Sequence, residues 1–341
     1  MKADLPAGYS AARLQLFLLL ALVFVAVLSL MSGQMGIEPN TIVRILLSRV
    51  VSLEPDWPAT VESVVMDVRL PRLLAGLLVG AGLSISGASF QGLFRNPLVS
   101  PHILGVSAGA GFGAAVAILF FGNILMVQLL SFSFGLISVL MTYGLSRTYR
   151  STPVLMLVLS GIIVGALFSS ATSLLKYVAD PVNQMPSIVF WLLGSLNNVS
   201  NADLAVVGPI ILAGTAGLLL IRWRINLLTM GEEDARALGI DTGKVRAIII
   251  VCATFISAAA VCVSGIIGWV GLVIPHIGRL LVGPDNRYLL PVSALAGAIY
   301  LVAVDVVART AMEAEIPIGI LTAIAGAPIF AYLLRKNRPG W

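Results

Sequence analysis

The stretch RWRINLLTMGEEDARALGIDTGKVR, residues 222–246, decides how the rest of the chain is laid out. Apolar runs flank it on both sides. Within it sit Arg222, Arg224, Glu232, Glu233, Asp234, Arg236, Asp241, Lys244 and Arg246. Its spacing predicts an amphipathic helix with Leu227, Leu228, Ala235 and Leu238 along one side, ended by Gly239. A charged, ordered island between two membrane spans has two readings. It is a cytoplasmic loop held inside by its arginines, or it is a surface that a soluble partner grips.

The surroundings make the membrane explicit. Hydrophobic residues make up 58% of the chain and charged residues 11%, and the mean hydropathy is +1.00. A soluble domain carries roughly 25% charged residues, so these values define an integral membrane protein. The apolar runs are about 20 residues long and do not alternate, which predicts helices rather than a barrel. The net charge of +5 reads as basic anchors on the cytoplasmic side, not as a nucleic-acid footprint. Cys252 and Cys262 fall ten apart in one apolar run. On a helix that is about 15 Å, too far for a disulfide, so both read as packing residues. The first apolar run, Leu14 to Met31, exceeds a signal-peptide core and is expected to be a retained span.

Working outward, spans are expected near 14–33, 63–90, 103–121, 124–145, 153–178, 203–221, 245–263, 265–282, 289–311 and 317–334. The run 245–282 is too long for one helix. If 222–246 and the loop with Arg279 and Arg287 both lie inside, the chain between them crosses twice. That gives ten spans with both termini cytoplasmic. Fifteen basic residues then fall inside, including Lys2, Arg95, Arg150 and Arg338. Six fall outside: Arg44, Arg49, Arg69, Arg72, Lys176 and Arg309. This obeys the positive-inside rule. The short apolar piece Ile188–Leu193 is too short to span and is expected either to lie at the outer interface or to dip back into the membrane.

A weak internal repeat is present. SGASFQGL (86–93) then PHILG (101–105) resembles SGIIGWVGL (264–272) then PHIG (275–278). The two copies sit at opposite ends of their spans, as in an inverted-topology repeat. Gly76-xxx-Gly80, Gly161-xxx-Gly165 and GAGFG (109–113) read as helix-packing sites. No P-loop exists, since Gly239-Ile-Asp-Thr-Gly243-Lys244-Val245 is one residue short and lacks the Ser/Thr for magnesium. ATP hydrolysis is therefore not expected of this chain. His102 and His276 stand too far from other ligands to suggest a metal site. Asp305 and Arg309 lie at i and i+4 on one helical face. Arg69 and Arg72, near the outer end of span two, read either as snorkelling anchors or as a docking point for carboxylates. Phe94-Arg95-Asn96-Pro97-Leu98-Val99-Ser100-Pro101 carries two prolines four apart. They break the helix there and make the loop a candidate gate.

RLPRLLAGLLVGAGLSISGASFQGLFRNPL, LGVSAGAG, MGEEDARALGI, GWVGLVIPHIGRLLVG and IPIGILTAIAGAPIF occur in this order along residues 60–335. Together they resemble the permease subunits of bacterial type II ABC importers, the FecCD family of iron-chelate, haem and cobalamin uptake. The resemblance implies an all-α homodimer of ten-helix subunits in the cytoplasmic membrane of a prokaryote. Its implied partners are two cytoplasmic ATPase subunits, which carry ATP and magnesium, and a substrate-binding protein at the outer face. No cofactor is implied for the chain itself. The segment 230–240 matches the family's coupling helix, with Met230, Gly231, Glu232, Glu233, Arg236, Ala237, Leu238 and Gly239 at the ATPase. Asn96, Pro97 and Leu98 match the cytoplasmic gate. Arg69, Arg72 and Arg309 match outer arginines that meet the binding protein, and 183–193 matches a short helix at the outer mouth. Gly161, Gly165 and Ser169 would line the pathway. The outer loop 34–61 is a part the family varies.

The cargo implied is a ferric siderophore, haem or cobalamin, with molybdate or tungstate as the alternative. A self-sufficient ion-coupled transporter would need intramembrane carboxylates. Asp305 is the one clear candidate, Arg309 neutralises it, and the charged island would be surplus. A membrane-embedded enzyme lacks any nucleophile–base pair, metal cluster or paired catalytic carboxylates.

Overall fold

A computed structural model of the chain describes residues 7–336 apart from 34, 53 and 148–153. Lys2, Arg150 and Arg338, counted above among the inner basic residues, and both chain ends lie outside the described residues. Among the described residues every regular element is a helix. In order they are α1 (Ala7–Met31), α2 (Pro39–Leu47), α3 (Ala59–Ser63), α4 (Leu70–Phe94), α5 (Val106–Phe120), α6 (Ile124–Ser146), α7 (Val154–Val178) and α8 (Gln184–Leu193). Then come α9 (Asn201–Leu220), α10 (Arg222–Met230), α11 (Glu232–Ala237), α12 (Thr242–Ser264), α13 (Val270–Val282), α14 (Asn286–Thr310) and α15 (Ile318–Lys336). A π-helical turn, Val64–Arg69, joins α3 to α4 without a break.

Side-chain chemistry sets most starts and stops. Asn123, Ser200, Asp241 and Asp285 each accept a backbone N–H at the head of the helix that follows, which satisfies donors the helix cannot. Ser200 and Asp203 form a reciprocal capping box.

Seven helical segments among the described residues are long and apolar enough to cross a membrane. The three remaining expected spans correspond to α5, α13 and α15. α13 has only 13 residues, about 20 Å against a hydrocarbon core of about 30 Å. It is preceded by irregular backbone at 265–269, where Ile267 is fully buried. Non-helical chain is tolerated at such depth only inside protein.

α4 is the axis of the fold. From Pro71 to Phe94 it is buried nearly throughout, with α14, α12, α13 and α9 packed around it. Glycine makes this possible. A Cβ on Gly87 would overlap the Gly271 carbonyl, and one on Gly80 the Gly297 carbonyl. The helices therefore meet backbone to backbone.

The weak repeat has a structural counterpart. Arg95 (φ 47°) and Trp269 (φ 67°) are the only described non-glycine residues in the left-handed region, and each stands at the break of one copy. The copies interlock. The Pro101 ring lies against Gly271, and Gln91 Nε2 donates to Val99 O at 3.1 Å and to Leu272 O at 3.3 Å. His102 joins the same seam through the Ser107 hydroxyl and through Ile267 O at 3.3 Å.

Candidate functional site

The charged island folds as two short helices, not as the single amphipathic helix expected. Gly231 separates α10 from α11 at a positive φ of 138°, a conformation that favours glycine. Glu232, Glu233 and Asp234 then occupy the first turn of α11, where the N-terminal end of the helix dipole favours negative charge. The expected helix 230–240 is thus α11, Glu232–Ala237, with a capped exit. Ile240 N bonds Ala235 O at 3.0 Å and Gly239 N bonds Arg236 O at 2.9 Å. This is the Schellman pattern, and it puts Gly239 in the left-handed region at φ 79°.

Ala235 is buried and anchors α11 to the core. Met230, Glu233, Arg236, Ala237, Leu238 and Gly239 face solvent, so Leu238 belongs to the outward surface and not to the apolar side assigned from its spacing. Glu232 turns back toward the protein. Its Oε1 accepts from Arg236 Nη2 at 2.9 Å, Arg246 Nη2 at 2.9 Å and Thr242 Oγ1 at 3.3 Å. One carboxylate oxygen therefore clasps α11 to the first turn of α12. A second clasp ties α10 to α14. Asn226 Nδ2 donates to Asp285 Oδ1 at 2.6 Å, and its Oδ1 accepts from Asn286 N and Nδ2 at 2.8 Å. The Arg287 side chain, followed by backbone and Asn226 hydrogen bonds, pulls the Asp285 carboxyl down to about 2. Neither clasp was expected from sequence. The residues are polar loop residues of ordinary spacing, and only folding makes them neighbours.

The candidate gate stands at the same end. α4 stops at Arg95, Asn96 Oδ1 caps Leu98 N at 2.9 Å, and Asn96 and Leu98 are exposed while Val99 is buried. Pro97 lies between them, half-buried. The loop is also close to the island. A Cβ on Gly231 would lie 3.9 Å from Arg95 Nη1 and 3.4 Å from Asp234 Oδ2.

At the opposite end of α4 and α14 lie the three arginines expected to dock a partner. Arg69, Arg72 and Arg309 are only 4%, 5% and 6% exposed, and their guanidinium groups are engaged within the chain. Arg69 donates to Leu30 O at 2.7 Å and to Met35 O. Arg309 donates to Ser32 O at 2.9 Å, Ser29 O at 2.6 Å and Ser29 Oγ at 2.7 Å. The two arginines thus cap the carbonyl end of α1, where the helix dipole favours cations. Arg72 meets Asp305 at 2.9 Å and both oxygens of Glu315 at 2.8 and 3.0 Å. The expected Asp305–Arg309 pair forms at 3.4 Å. Within the chain these arginines act as internal ties. Topology did not explain their position, but internal capping does.

Beside this cluster lies a cavity of about 800 Å³ between the loop after α5, α8, the end of α12 and residues 315–317. Phe190 and Trp191 of α8 line it with Ile124, Val127 and Cys262, and Asn123, Gln128, Asn197 and Asn198 supply neutral polar groups. On α7, the pathway candidates separate. Ser169 is exposed and Gly165 faces open space. Gly161 is buried against the Ile103 carbonyl, which makes it a packing contact and removes it from the lining. Among the described residues no group of three or more His, Cys, Asp or Glu is placed to hold a metal ion.

A bundle of membrane-length helices, a cavity at one end and a clasped, exposed helix at the other fit a multi-pass transport permease. The chain belongs to the FecCD transport family, whose model matches residues 20–336. It is 43% identical over 325 residues to the molybdate import system permease protein MolB of Haemophilus influenzae, covering 95% of each chain. It is 43% identical to the cobalamin import system permease protein BtuC of Halobacterium salinarum, over 82% of this chain and 75% of that one. Among solved structures, an inward-facing ABC transporter of the metal-chelate type matches with a TM-score of 0.85 at 40% identity. That match covers 96% of this chain and all of the other. The chain is therefore an ABC transporter permease.

Proposed function

We propose that two copies of this chain, each crossing the membrane ten times, enclose a pathway for a bulky metal chelate. A separate ATPase pair drives the movement. Two of the crossings would use α5 and α13 with the irregular backbone before them, and α15 would supply the last. The observation that carries the reading is the surface of α11. It is a short helix with its polar residues outward, its cap intact and its base clasped to α12 through Glu232. The chain has no nucleotide loop of its own. A helix held at its base and free on its outer side is suited to take force from a soluble partner. Asn96, Pro97 and Leu98, close beside it, are the gate in this reading, and Gly165 and Ser169 line the path.

The cavity at the other end supports a chelate cargo. Its lining is aromatic, aliphatic, amide and hydroxyl with one carboxylate, Glu315, which suits an amphipathic organic shell better than a bare oxyanion. A binding protein delivers the cargo there. Molybdate is the second reading, favoured by the match to a molybdate permease over 95% of both chains.

The test is uptake into liposomes by the chain reconstituted with its ATPase and binding protein, with ATP enclosed. Cobalamin, haem, a ferric siderophore and molybdate are offered in turn. ATP-dependent uptake of a chelate alone is expected. Uptake of molybdate alone would replace the cargo class and keep the architecture, whereas uptake without ATP would overturn the architecture.

A further inference from the structure

The loop between α1 and α4 contains a helix that the transport reading does not use. α2 divides into three sectors. At about 100° per residue, Ile42 and Ile45 point one way, Thr41, Arg44 and Ser48 fall on one flank, and Val43, Leu47 and Val50 fall on the other. The first sector is buried in a small core with Trp57 and Val65. The second is half-exposed and polar, and Arg44 pairs with Asp56. The third is exposed and apolar at Val43 and Leu47, with Asn40 at its edge, and reaches 85% exposure at Val50 in the turn after α2. Val51 extends it.

A helix whose protein-facing sector separates a polar flank from an apolar one has the form of an interfacial helix at the rim of a membrane protein. Protein lies to one side, water above and lipid below. Two further observations set its depth. Leu30, in the last turn of α1, packs against the same core as Ile42 and Ile45, so α2 lies level with the end of a membrane helix. The exposed apolar row of α1 runs through Phe17, Phe24 and Met31, and Met35 is exposed just beyond its end. The basic side chains of this hairpin do not oppose insertion. Arg44 is paired with Asp56 and Arg49 with Glu62.

We infer that Val43, Leu47 and Val50 are sunk in the lipid leaflet at the Arg69 end, and that α2 is a membrane-surface anchor. The level of α2 at the end of a membrane-length helix, set by Leu30 in the shared core, selects lipid over a protein partner. The anchor fixes one side of the hairpin whose Met35 carbonyl receives Arg69.

Nitroxide labels decide the matter. Single cysteines are placed at Val43, Leu47 and Val50, and for contrast at Thr41 and Ser48, in a Cys252→Ala, Cys262→Ala background. The protein is then reconstituted in phosphatidylcholine–phosphatidylglycerol liposomes. Labels at the first three positions should relax severalfold more with dissolved oxygen than with a water-soluble nickel chelate, and the other two should show the reverse. Equal nickel access at all five positions would place the stripe in water and overturn the inference. So would short distances between Leu47→Cys labels, which would mean that a second copy covers the stripe. Protection from nickel appearing only when the binding protein is added would assign the stripe to that protein, again overturning it. Should circular dichroism show that the cysteine-free background loses its helices, the same five positions are read in the native background, where Cys262 is buried and Cys252 half-buried.

Discussion

The two ends of α4 and α14 carry charge in opposite ways. At the Arg69 end, three guanidinium groups and the Asp305 carboxylate are buried and satisfied by helix-terminal carbonyls, by one another and by Glu315. At the Glu232 end the charges stand in solvent, paired through exposed side chains. Residue type and topology made both ends candidates for partner binding. Burial separates them. A buried guanidinium with its donors engaged is held within the chain, while α11 stands exposed on a firm base.

The contrast is tested most severely at Asp305. Replacing it with Ala leaves Arg72 without one of its two carboxylates and Arg309 without any. The expected loss is about 3–5 kcal/mol, read as a large drop in the unfolding midpoint in lipid nanodiscs. A loss nearer 0.5 kcal/mol, as for exposed pairs, would mean that this end is wetter than its geometry suggests.

Gly239→Val should come next, at about 1–2 kcal/mol. A Cβ there meets no atom within 4 Å, so the whole cost is backbone strain at φ 79°. The damage should stay local, with faster hydrogen exchange over 232–240 and weaker ATPase binding, while the bundle melts as before. Global destabilisation would show that α11 is not the separable unit described.

Glu232→Gln should change stability by no more than about 1 kcal/mol, because the Glu232 side chain is 44% exposed and the pairs are screened. Its effect should appear in coupling. ATPase subunits should bind and hydrolyse ATP, but uptake per ATP should fall. Unchanged uptake per ATP would reduce the clasp to a surface ion pair.

The smallest effect concerns Asp285. Its folded value of about 2 lies below the ordinary 3.8, so its contribution is present above that range and is lost as pH falls toward 2. Trp223 fluorescence, a neighbour of the α10–α14 clasp in sequence, should therefore stay constant from about pH 8 to about pH 5. A transition near neutral pH would point to another group.

Much of the fold was legible because a bilayer permits few solutions. Apolar length located the helices, and the paired prolines after Arg95 and the cap at Gly239 marked real breaks. What stayed hidden was contact between distant residues. Arg69 and Arg309 stand outside the positive-inside pattern, but nothing local shows that the end of α1 is their acceptor. Gly161 looks like a lining residue until Ile103 is found against it. Gly231 reads as a tolerable helix residue until its positive φ divides the island. Glu232 resembles its neighbour Glu233, and only the return of Arg246 distinguishes them.

The capping of α1 also imposes an order on synthesis. Arg69 follows Leu30 by 39 residues, and Arg309 follows Ser29 by 280. At roughly 5–20 residues per second, the first cap is made about 2–8 s after the carbonyl it serves, and the second about 14–56 s after. In that interval α1 is already in the bilayer, held by one arginine, with the Ser29 carbonyl still waiting for its partner. A late helix, α14, completes the capping of α1, so a ribosome that stalls before Arg309 would leave a chain inserted but unfastened.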